Sequence, residues 1–222
     1  MLVLLRLLDP LSSNGEQIHI DGLPLHQLDR TALRRRIIAI PQDAVFLPDG
    51  CTVKENLDPF EEASEEECVE VLGKVQLGPF VQEHGISNGM SADTLSAGQK
   101  QLFSLGRAIL RRRLRDKKFQ ADQPGGVLLL DEVSSNVDKD TDRIMQEIIK
   151  DEFLHYTIIM ISHRLDMVVD FFTTVVVLDK GTIVEMGTPR HLIEAEGSRF
   201  GEFWRMGIQH YGKTSQAGGE ES

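Results

Sequence analysis

A strand of buried type that ends in two adjacent carboxylates is the most informative chemical feature of this sequence. Residues 125–130 are Gly-Gly-Val-Leu-Leu-Leu, and Asp131 and Glu132 follow directly. Ligands of a parallel α/β sheet bind at the carboxyl ends of its strands. One carboxylate there can hold a hydrated Mg²⁺, which takes few protein carboxylates, and its neighbour can orient an attacking water. The alternative is an ordinary strand-to-loop junction with a solvated Asp-Glu pair.

Residues 95–99, Leu-Ser-Ala-Gly-Gln, stand where a predicted helix begins and could bind an anion. The helix dipole and the free backbone N–H groups favour negative charge at that end. Ser96 adds a hydroxyl, and Gly98 permits close approach of a ligand. The alternative is a plain serine cap with a glycine beside it.

A third polar segment, Ser162-His163-Arg164, also follows a β-type run. His163 could hydrogen-bond a phosphate or an attacking water through a ring nitrogen. The alternative is a structural histidine whose hydrogen bonds are satisfied.

The elements that must position these segments alternate as in a parallel sheet. Short β-type runs lie at residues 37–40, 127–130, 157–161 and 174–178, and a helical stretch at residues 141–150 separates the second run from the third. A strand, a helix and a strand in this order favour a right-handed crossover between parallel neighbours. We therefore predict an α/β fold.

Three further segments have a distinct character. Residues 1–8 are predicted to be the tail of a helix that Asp9-Pro10 ends. Residues 48–94 are acidic and favour helix, which indicates a helical insert whose glutamates form a solvated face. Basic residues 111–115 follow at the carboxyl end of the helix that begins near Gln99, where they complement the helix dipole.

The composition indicates a folded chain with an acidic surface. The 222 residues carry 24 Lys and Arg against 35 Asp and Glu, a formal net charge of −11. This excess repels nucleic acid and anionic membranes, so we expect no nucleic-acid partner. Cys51 and Cys68 make no disulfide framework and lack a nearby ligand, so we expect a reducing compartment and no zinc or structural metal. No apolar run approaches the roughly 20 residues of a membrane-spanning helix.

Five motifs, occurring together and in order, resemble those of the ATP-binding cassette (ABC) domain of ABC transporters. They are Pro41-Gln42, residues 95–99, residues 128–132, residues 135–138 and Ser162-His163-Arg164. On the family's pattern, the matching residues are the Q-loop glutamine Gln42, the signature residues Ser96, Gly98 and Gln99, the Walker B aspartate Asp131, the catalytic glutamate Glu132, the D-loop aspartate Asp138 and the switch histidine His163.

The resemblance covers roughly residues 1–210 and extends to a subfamily. Residues 52–60, Thr-Val-Lys-Glu-Asn-Leu-Asp-Pro-Phe, look like the C subfamily, the multidrug-resistance-associated type, and Glu132 is similar to the glutamate of its second cassette. The resemblance implies a P-loop NTPase fold with a parallel core sheet and a helical subdomain. The implied division is core with Q-loop at 1–47, helical subdomain at 48–98, the rest of the core at 99–210 and a disordered tail at 211–222.

The resemblance also implies a reaction, in which water attacks the γ-phosphate of MgATP in line. Glu132 would polarise the water, Asp131 would hold Mg²⁺ through water, and Gln42 would complete the metal shell and couple to the membrane domain. His163 would stabilise charge on the transferring phosphoryl group. The enzyme implied is an ATPase that drives export of a substrate.

The family's cassettes dimerise head to tail, which implies that Ser96, Gly98 and Gln99 contact ATP held by the other cassette. The implied partners are that second nucleotide-binding domain and the transmembrane domains of the same transporter. The implied location is the cytoplasmic face of a membrane.

A phosphate-binding Walker A loop, G-x-x-x-x-G-K-S/T, is the part that the resemblance leaves unmatched. The family places it, with the first core strand, just before residue 1. We therefore expect a truncated second cassette that folds poorly and is inactive by itself. The pattern occurs once, at residues 207–214, but residues 200–206 are not a buried strand and residues 215–222 are polar and glycine-rich, so we reject it.

Two alternatives belong to other classes of protein. The short chain could be a non-catalytic module that completes a partner cassette's ATP site through its signature motif. A soluble cassette ATPase of chromosome maintenance or translation is disfavoured, because the insert is short and lacks sustained heptads and because residues 52–60 resemble exporters.

Overall fold

The structure is a computed structural model that describes residues 4–7, 18–118, 125–133 and 137–214. The chain divides into two compact units, residues 1–161 and 162–222. The domain boundaries predicted at 47/48 and 98/99 both fall inside the first unit and stay predictions.

The first unit opens with a small hairpin and a short helix. Strands β1 (His19–Ile20) and β2 (Leu23–Pro24) pair antiparallel. Helix α1 (Arg30–Arg36) begins after Asp29, whose carboxylate accepts a hydrogen bond from Ala32 N at 2.7 Å. The helix predicted over residues 1–8 is wrong for its described part, since residues 4–6 form a turn.

A parallel sheet of three strands lies at the centre of the first unit, as predicted. Strand β3 (Ile37–Ile40) pairs with β4 (Gly126–Asp131), and β4 pairs with β5 (Tyr156–Ile161). Leu128, Leu129 and Leu130 are at most 1% exposed, because a central parallel strand is covered on both faces.

Strand β5 is the open edge of this sheet. Within the described residues β5 pairs with β4 alone, and its Ile159 and Ile161 are 45% and 47% exposed. Unpaired strand edges present free backbone N–H and C=O groups. That a further strand of the family's sheet precedes residue 1 stays a prediction.

The predicted helical insert is present and contains three short helices. Two of them begin with a capping box, in which Thr52 pairs with Glu55 and Ser64 with Glu67. The helices are α2 (Val53–Leu57), α3 (Glu65–Lys74) and α4 (Gly78–His84).

Helix α5 (Ala97–Lys118) is the longest element and packs against this insert. A Cβ atom on its buried Gly106 would lie 3.3 Å from Val75 Cγ2 and 3.6 Å from Leu57 Cδ1. A glycine inside a helix costs about 1 kcal/mol relative to alanine. The close packing against α2 and α3 is the structural reason for this glycine.

The basic end of α5 contacts the acidic helix α3 and the residues just before it. The glutamates of the insert are therefore not only a solvated face, and the basic residues of α5 do more than complement the dipole of their own helix. Arg113 Nη1 lies 2.7 Å from Glu70 Oε1, and Lys118 Nζ lies 2.6 Å from Glu62 Oε1. Lys117 pairs with Glu67. The two charged runs therefore neutralise each other across the packed helices.

Helix α6 (Lys139–Glu152) ends in a buried ionic cluster. The Glu152 carboxylate, 4% exposed, pairs with Arg112 and Arg113 of α5 and with Lys74 of α3. Burial acts to raise the pKa of Glu152, but hydrogen bonds from Lys74 and Arg113 and the charges of the arginines outweigh it and lower the pKa to about 2. One carboxylate thus connects three helices.

The second unit is a hairpin with helices around it. Arg199 pairs with Asp179 at 2.9 Å, and Glu185 accepts a hydrogen bond from Phe200 N at 2.8 Å. No helix within the described parts of the chain has both the length and the apolar character that crossing a membrane requires. The elements are α7 (Leu165–Phe171), β6 (Val175–Asp179), β7 (Thr182–Gly187), α8 (Pro189–Glu194) and α9 (Arg199–Thr214).

The predicted disordered tail at 211–222 is wrong for its first four residues. Helix α9 continues through Thr214, because a glycine at 212 does not by itself end a helix. Residues 215–222 lie outside the described residues.

Replacing Glu152 by Gln tests the ionic cluster. Removing one partner of a fully buried ion pair costs about 3–5 kcal/mol. Since Lys74, Arg112 and Arg113 keep 34%, 21% and 25% of their side chains exposed, we expect a smaller loss, about 1–3 kcal/mol at pH 7. Native-state hydrogen exchange of the α5 and α6 amides measures it.

The loss has a defined pH dependence. A carboxylate whose folded pKa is lowered stabilises the fold above its unfolded pKa, near 4.5, and this contribution disappears as pH falls toward 2. The difference between Glu152→Gln and the parent should therefore shrink between pH 4.5 and pH 2. The control is Glu147→Gln, the same change at an exposed position of α6. Equal differences at pH 7 and pH 3 would contradict the cluster's role.

Candidate functional site

The carboxyl ends of β3 and β4 bring three of the predicted site residues to one edge of the sheet. Ile40 pairs with Leu130, so Gln42 and the Asp131–Glu132 pair both leave the sheet at this edge. Asp131 and Glu132 are half-buried, whereas Gln42 is exposed. Ligands of a parallel α/β sheet bind at this end of its strands, and the shared metal site that the resemblance implies for Gln42 and Asp131 stays a prediction.

Glu132 has an unusual backbone conformation. Its φ is +47°, in the left-handed region that residues with a Cβ atom rarely adopt. Its N–H donates to Ile161 O at 2.9 Å, the last bond of the ladder between β4 and β5. Such conformations cost on the order of 1 kcal/mol and cluster at functional sites. The strand therefore ends abruptly, with the carboxylate at the rim.

Ser96 and Gln99 form a reciprocal cap at the start of α5. Ser96 Oγ accepts from Gln99 N at 3.2 Å, and Gln99 Oε1 accepts from Ser96 N at 2.8 Å. The serine cap that the sequence left as an alternative is thus present. It does not exclude an anion, because a hydroxyl that accepts one bond still has its proton to donate. Ser96 is exposed, which is what a ligand would need.

Asp138 caps the start of α6 with its carboxylate. Its Oδ1 accepts from Asp140 N at 3.0 Å and Thr141 N at 2.9 Å, and its Oδ2 accepts from Thr141 Oγ1 at 2.7 Å. The backbone and hydroxyl hydrogen bonds from Thr141 lower the pKa of this carboxyl. Asp138 is therefore held as a carboxylate at the positive end of the helix.

The starts of α5 and α6 lie against each other. A Cβ atom on Gly98 would lie 3.2 Å from Thr141 Cγ2 and 3.4 Å from Thr141 Oγ1. Gly98 therefore lets the signature turn approach the threonine that Asp138 holds. Residues 135 and 136 of the predicted D-loop lie outside the described residues.

His163 belongs to the second unit, two residues after Ile161, and is exposed. The neighbouring Ser162 Oγ accepts from Arg164 N at 3.0 Å, which fixes the turn before α7. The predicted site residues thus fall into three sets. The first group in the first unit lies at the end of the sheet and the second at the starts of α5 and α6, while the third set is a segment of the second unit. Their members are Gln42, Asp131 and Glu132; Ser96, Gly98, Gln99 and Asp138; and His163.

A family model for ABC transporters matches residues 2–114, just over half of the chain. The chain belongs to the ABC transporter family. Its fold also matches a bacterial Atm1-family ABC exporter with ATP bound, with a TM-score of 0.75 and 26% identity over 92% of this chain and 34% of that one. The fold is that of an ABC cassette, as the sequence predicted.

Curated relatives of this ABC chain are mainly fungal transporters. It is 60% identical over 207 residues to ABC transporter FGM5 of Gibberella zeae and 51% identical over 209 residues to ABC-type transporter braE of Annulohypoxylon truncatum. It is 36% identical to ATP-binding cassette sub-family C member 2 of Rattus norvegicus. These matches cover 92–93% of the chain but 12–14% of each relative's length.

The structure joins the two groups of the first unit through a residue that sequence reasoning missed. Gln101, two residues after the signature motif of this ABC cassette, donates from Nε2 to Gln42 O at 2.5 Å. Gln101 is 5% exposed, although it stands in an apolar helix face. A polar residue within such a face was the available signal, since buried amides need a partner.

The phosphate-loop pattern at residues 207–214 lies inside α9. A Walker A loop requires a strand, a glycine-rich loop and then a helix. Because Phe200 to Met206 are already helical, that context is absent and the rejection of this pattern is confirmed.

Asp138 should be tested by two substitutions that differ in the cap. Asp138→Ala removes every acceptor, so the Thr141 amide should exchange its hydrogen faster, by about tenfold if one N–H···O bond of ordinary strength is lost. Asp138→Asn retains one carbonyl acceptor and should show a smaller increase. Amide hydrogen exchange measures both, with Lys139→Ala at the neighbouring exposed position as control. Equal exchange in all variants would mean that Asp138 does not cap α6.

Proposed function

We propose that this chain is part of the second nucleotide-binding domain of a C-subfamily ABC exporter. In the longer protein it binds and hydrolyses MgATP to drive transport of a substrate across a membrane. The observation that carries the proposal is the Asp131–Glu132 pair at the carboxyl end of the central strand, with Gln42 leaving the neighbouring strand beside it. The family membership and the relatives' length support a role within a larger transporter.

The sheet edge suits a hydrated Mg²⁺. Over the described residues, no three His, Cys, Asp or Glu side chains converge as metal ligands. Mg²⁺ does not need such a cluster, because it keeps several waters and takes one or two protein oxygens plus phosphates. Asp131 through water and the Gln42 amide oxygen would hold it. When bound, MgATP supplies the transferable phosphoryl group with its charge partly neutralised.

The proposed roles of the other residues are those that the family resemblance implies. Glu132, fixed by its backbone bond to Ile161, would polarise the attacking water. His163 would donate a hydrogen bond to the developing charge on the phosphoryl group. Asp138, already a capping carboxylate, would keep the start of α6 ordered next to the signature turn.

The signature residues would act on a second cassette's nucleotide. Ser96, Gly98 and Gln99 form the exposed or half-buried first turn of α5, where N–H groups and the helix dipole favour a phosphate. The proposed partners are therefore the other nucleotide-binding domain and the transmembrane domains. The proposed site of action is the cytoplasmic face of the membrane.

The assignment to the C subfamily rests on residues 52–60 and on the rat relative. Part of that run has a structural role, because Thr52 and Glu55 form a capping box and Asp58 Oδ2 accepts from Ala63 N at 2.6 Å. The run therefore shapes the helical insert, whose form distinguishes one type of cassette from another.

A second candidate is a non-catalytic module that completes a partner's ATP site through its signature turn. It is favoured by the placement of the only phosphate-loop pattern of the sequence inside α9. ATP affinity of the 222-residue chain separates the two candidates. The module requires essentially no affinity, and we expect this form to be inactive in hydrolysis in either case.

Replacing Glu132 by Gln in the full-length transporter should abolish turnover and spare ATP binding. The amide keeps the size of the side chain but cannot accept a proton, and loss of a general base typically costs about 10²–10⁴-fold in rate. Phosphate release and nucleotide affinity are the two measurements, and Glu147→Gln on the exposed face of α6 is the control. Phosphate release at the parent rate would remove Glu132 from this role.

A further inference from the structure

The segment after β3, residues 42–47, belongs to no helix or strand and is held by side chains from other elements. Gln101 Nε2 donates to Gln42 O at 2.5 Å, and Arg107 Nη1 donates to Val45 O at 2.9 Å. Asn56 Oδ1 accepts from Leu47 N at 2.8 Å. Two of these three contacts come from α5.

The Arg107 guanidinium lies against two aromatic rings that also contact each other, Phe46 and Phe103. Its Cζ lies 5.7 Å from the ring centroid of Phe46 and 5.6 Å from that of Phe103, and the two rings are 5.2 Å apart. Its Nε donates to Asn56 O at 2.9 Å, while Nη1 reaches Val45 O. The cation thus binds two carbonyls and two aromatic faces, and burial lowers its pKa.

A lysine could not reproduce these contacts. Arginine presents several N–H donors in a rigid plane and stacks on aromatic rings, whereas lysine has a single compact ammonium group on a flexible stem. Donating to Asn56 O and Val45 O at once, while lying against two rings, requires the planar set of N–H donors. The contact is therefore specific to arginine and not to positive charge alone.

The contacts of Gln101, Arg107 and Asn56 with residues 42–47 form a clamp on this segment. Helix α5 connects the clamp to the signature turn, residues 96–99. Ser96 caps the start of the helix, Gln101 lies in its second turn, and Arg107 follows further along. A single helix therefore carries the signature serine and grips the segment that begins at Gln42. Gln101 and Arg107 hold backbone carbonyls of the segment, and Arg107 also contacts the Phe46 ring, so together they fix its course.

We propose that Arg107 is a positioning residue that fastens the Gln42 segment to the signature helix, so that Gln42 stays at the sheet edge beside Asp131. This inference rests on the proposed function of the site. Arg107 touches neither Asp131 nor Glu132 in the contacts described and acts through Gln42. Misplacement of a reacting group by about 1 Å can cost up to about 10²-fold in rate.

The test uses the full-length transporter and compares Arg107→Lys with Arg111→Lys. Arg111 is exposed on the same helix, and among the described residues its hydrogen bond goes to Arg34 O, at 2.8 Å, outside the segment. We expect Arg107→Lys to lower kcat for ATP hydrolysis by about tenfold, because Gln42 is misplaced at the reacting centre, and to change KM for ATP much less, because Gln42 is only one of the groups that hold MgATP. Arg111→Lys should keep the parent kcat.

Two further readouts separate positioning from general destabilisation. Hydrogen exchange at the Leu47 amide should increase in Arg107→Lys and not in Arg111→Lys. In a Gln42→Ala background, Arg107→Lys should cause no additional loss of kcat, because the effects of residues that act as a unit do not multiply. If Arg107→Lys lowers the amount of folded protein, Phe46→Leu can be used instead, because it removes one of the two rings that contact Arg107. It should likewise lower kcat and increase hydrogen exchange at the Leu47 amide.

The outcomes distinguish this inference from the proposed function. A parent transporter without ATPase activity would overturn the proposed function. An active parent with an unchanged kcat in Arg107→Lys, or with losses that multiply in the Gln42→Ala background, would overturn the positioning role alone. Unchanged exchange at Leu47 would show that the clamp does not hold the segment.

Discussion

The parallel pairing of β4 with β3 and β5 is the interaction on which the other contacts depend. Leu128, Leu129 and Leu130 are covered on both faces, so a one-residue shift in register would draw Asp131 into the buried position of Leu130 or move Leu130 out to the end of the sheet. That register fixes which residues leave the sheet at its carboxyl edge. Asp131, Glu132 and Gln42 meet there because the backbone ladder ends within two residues of each of them.

Helix α5 is the second organising element, and it works by contact with three different neighbours. Its start packs on the start of α6 through Gly98 and Thr141, its middle packs on the helical insert at Gly106, and its end joins Glu152. Because these contacts run from Gly98 to Arg113, one helix joins the signature turn to the insert and to the end of α6.

The chain carries its least favourable local features where these elements meet. Glu132 has a left-handed backbone, Gly106 interrupts a long helix, and Glu152 is a buried charge. Each is offset by a specific tertiary contact: a ladder hydrogen bond, close helix packing, and an ionic cluster. Such features are typical of sites where function constrains the fold.

The sequence by itself determined the central strands and the crossover helix, because apolar runs and caps are local signals. The motif residues were named from the family resemblance, and their roles stay predictions. Strand β3 was predicted at its exact bounds, and the helix from Gln99 needed only two more residues at its start. Local patterns failed at the ends of the chain, where residues 4–6 form a turn and residues 211–214 are helical. In both places the sequence shows no strong periodicity of apolar residues from which the local structure could be predicted.

Only the tertiary structure decided which distant side chains meet. Gln101 reaches Gln42 across 59 positions, Arg107 reaches Val45 across 62, and Arg113 reaches Glu70 across 43. No spacing in the sequence encodes these pairs, because each depends on how two packed elements are rotated and placed against each other. The motif residues could be named from the sequence, whereas the contacts that hold them in place follow from helix packing.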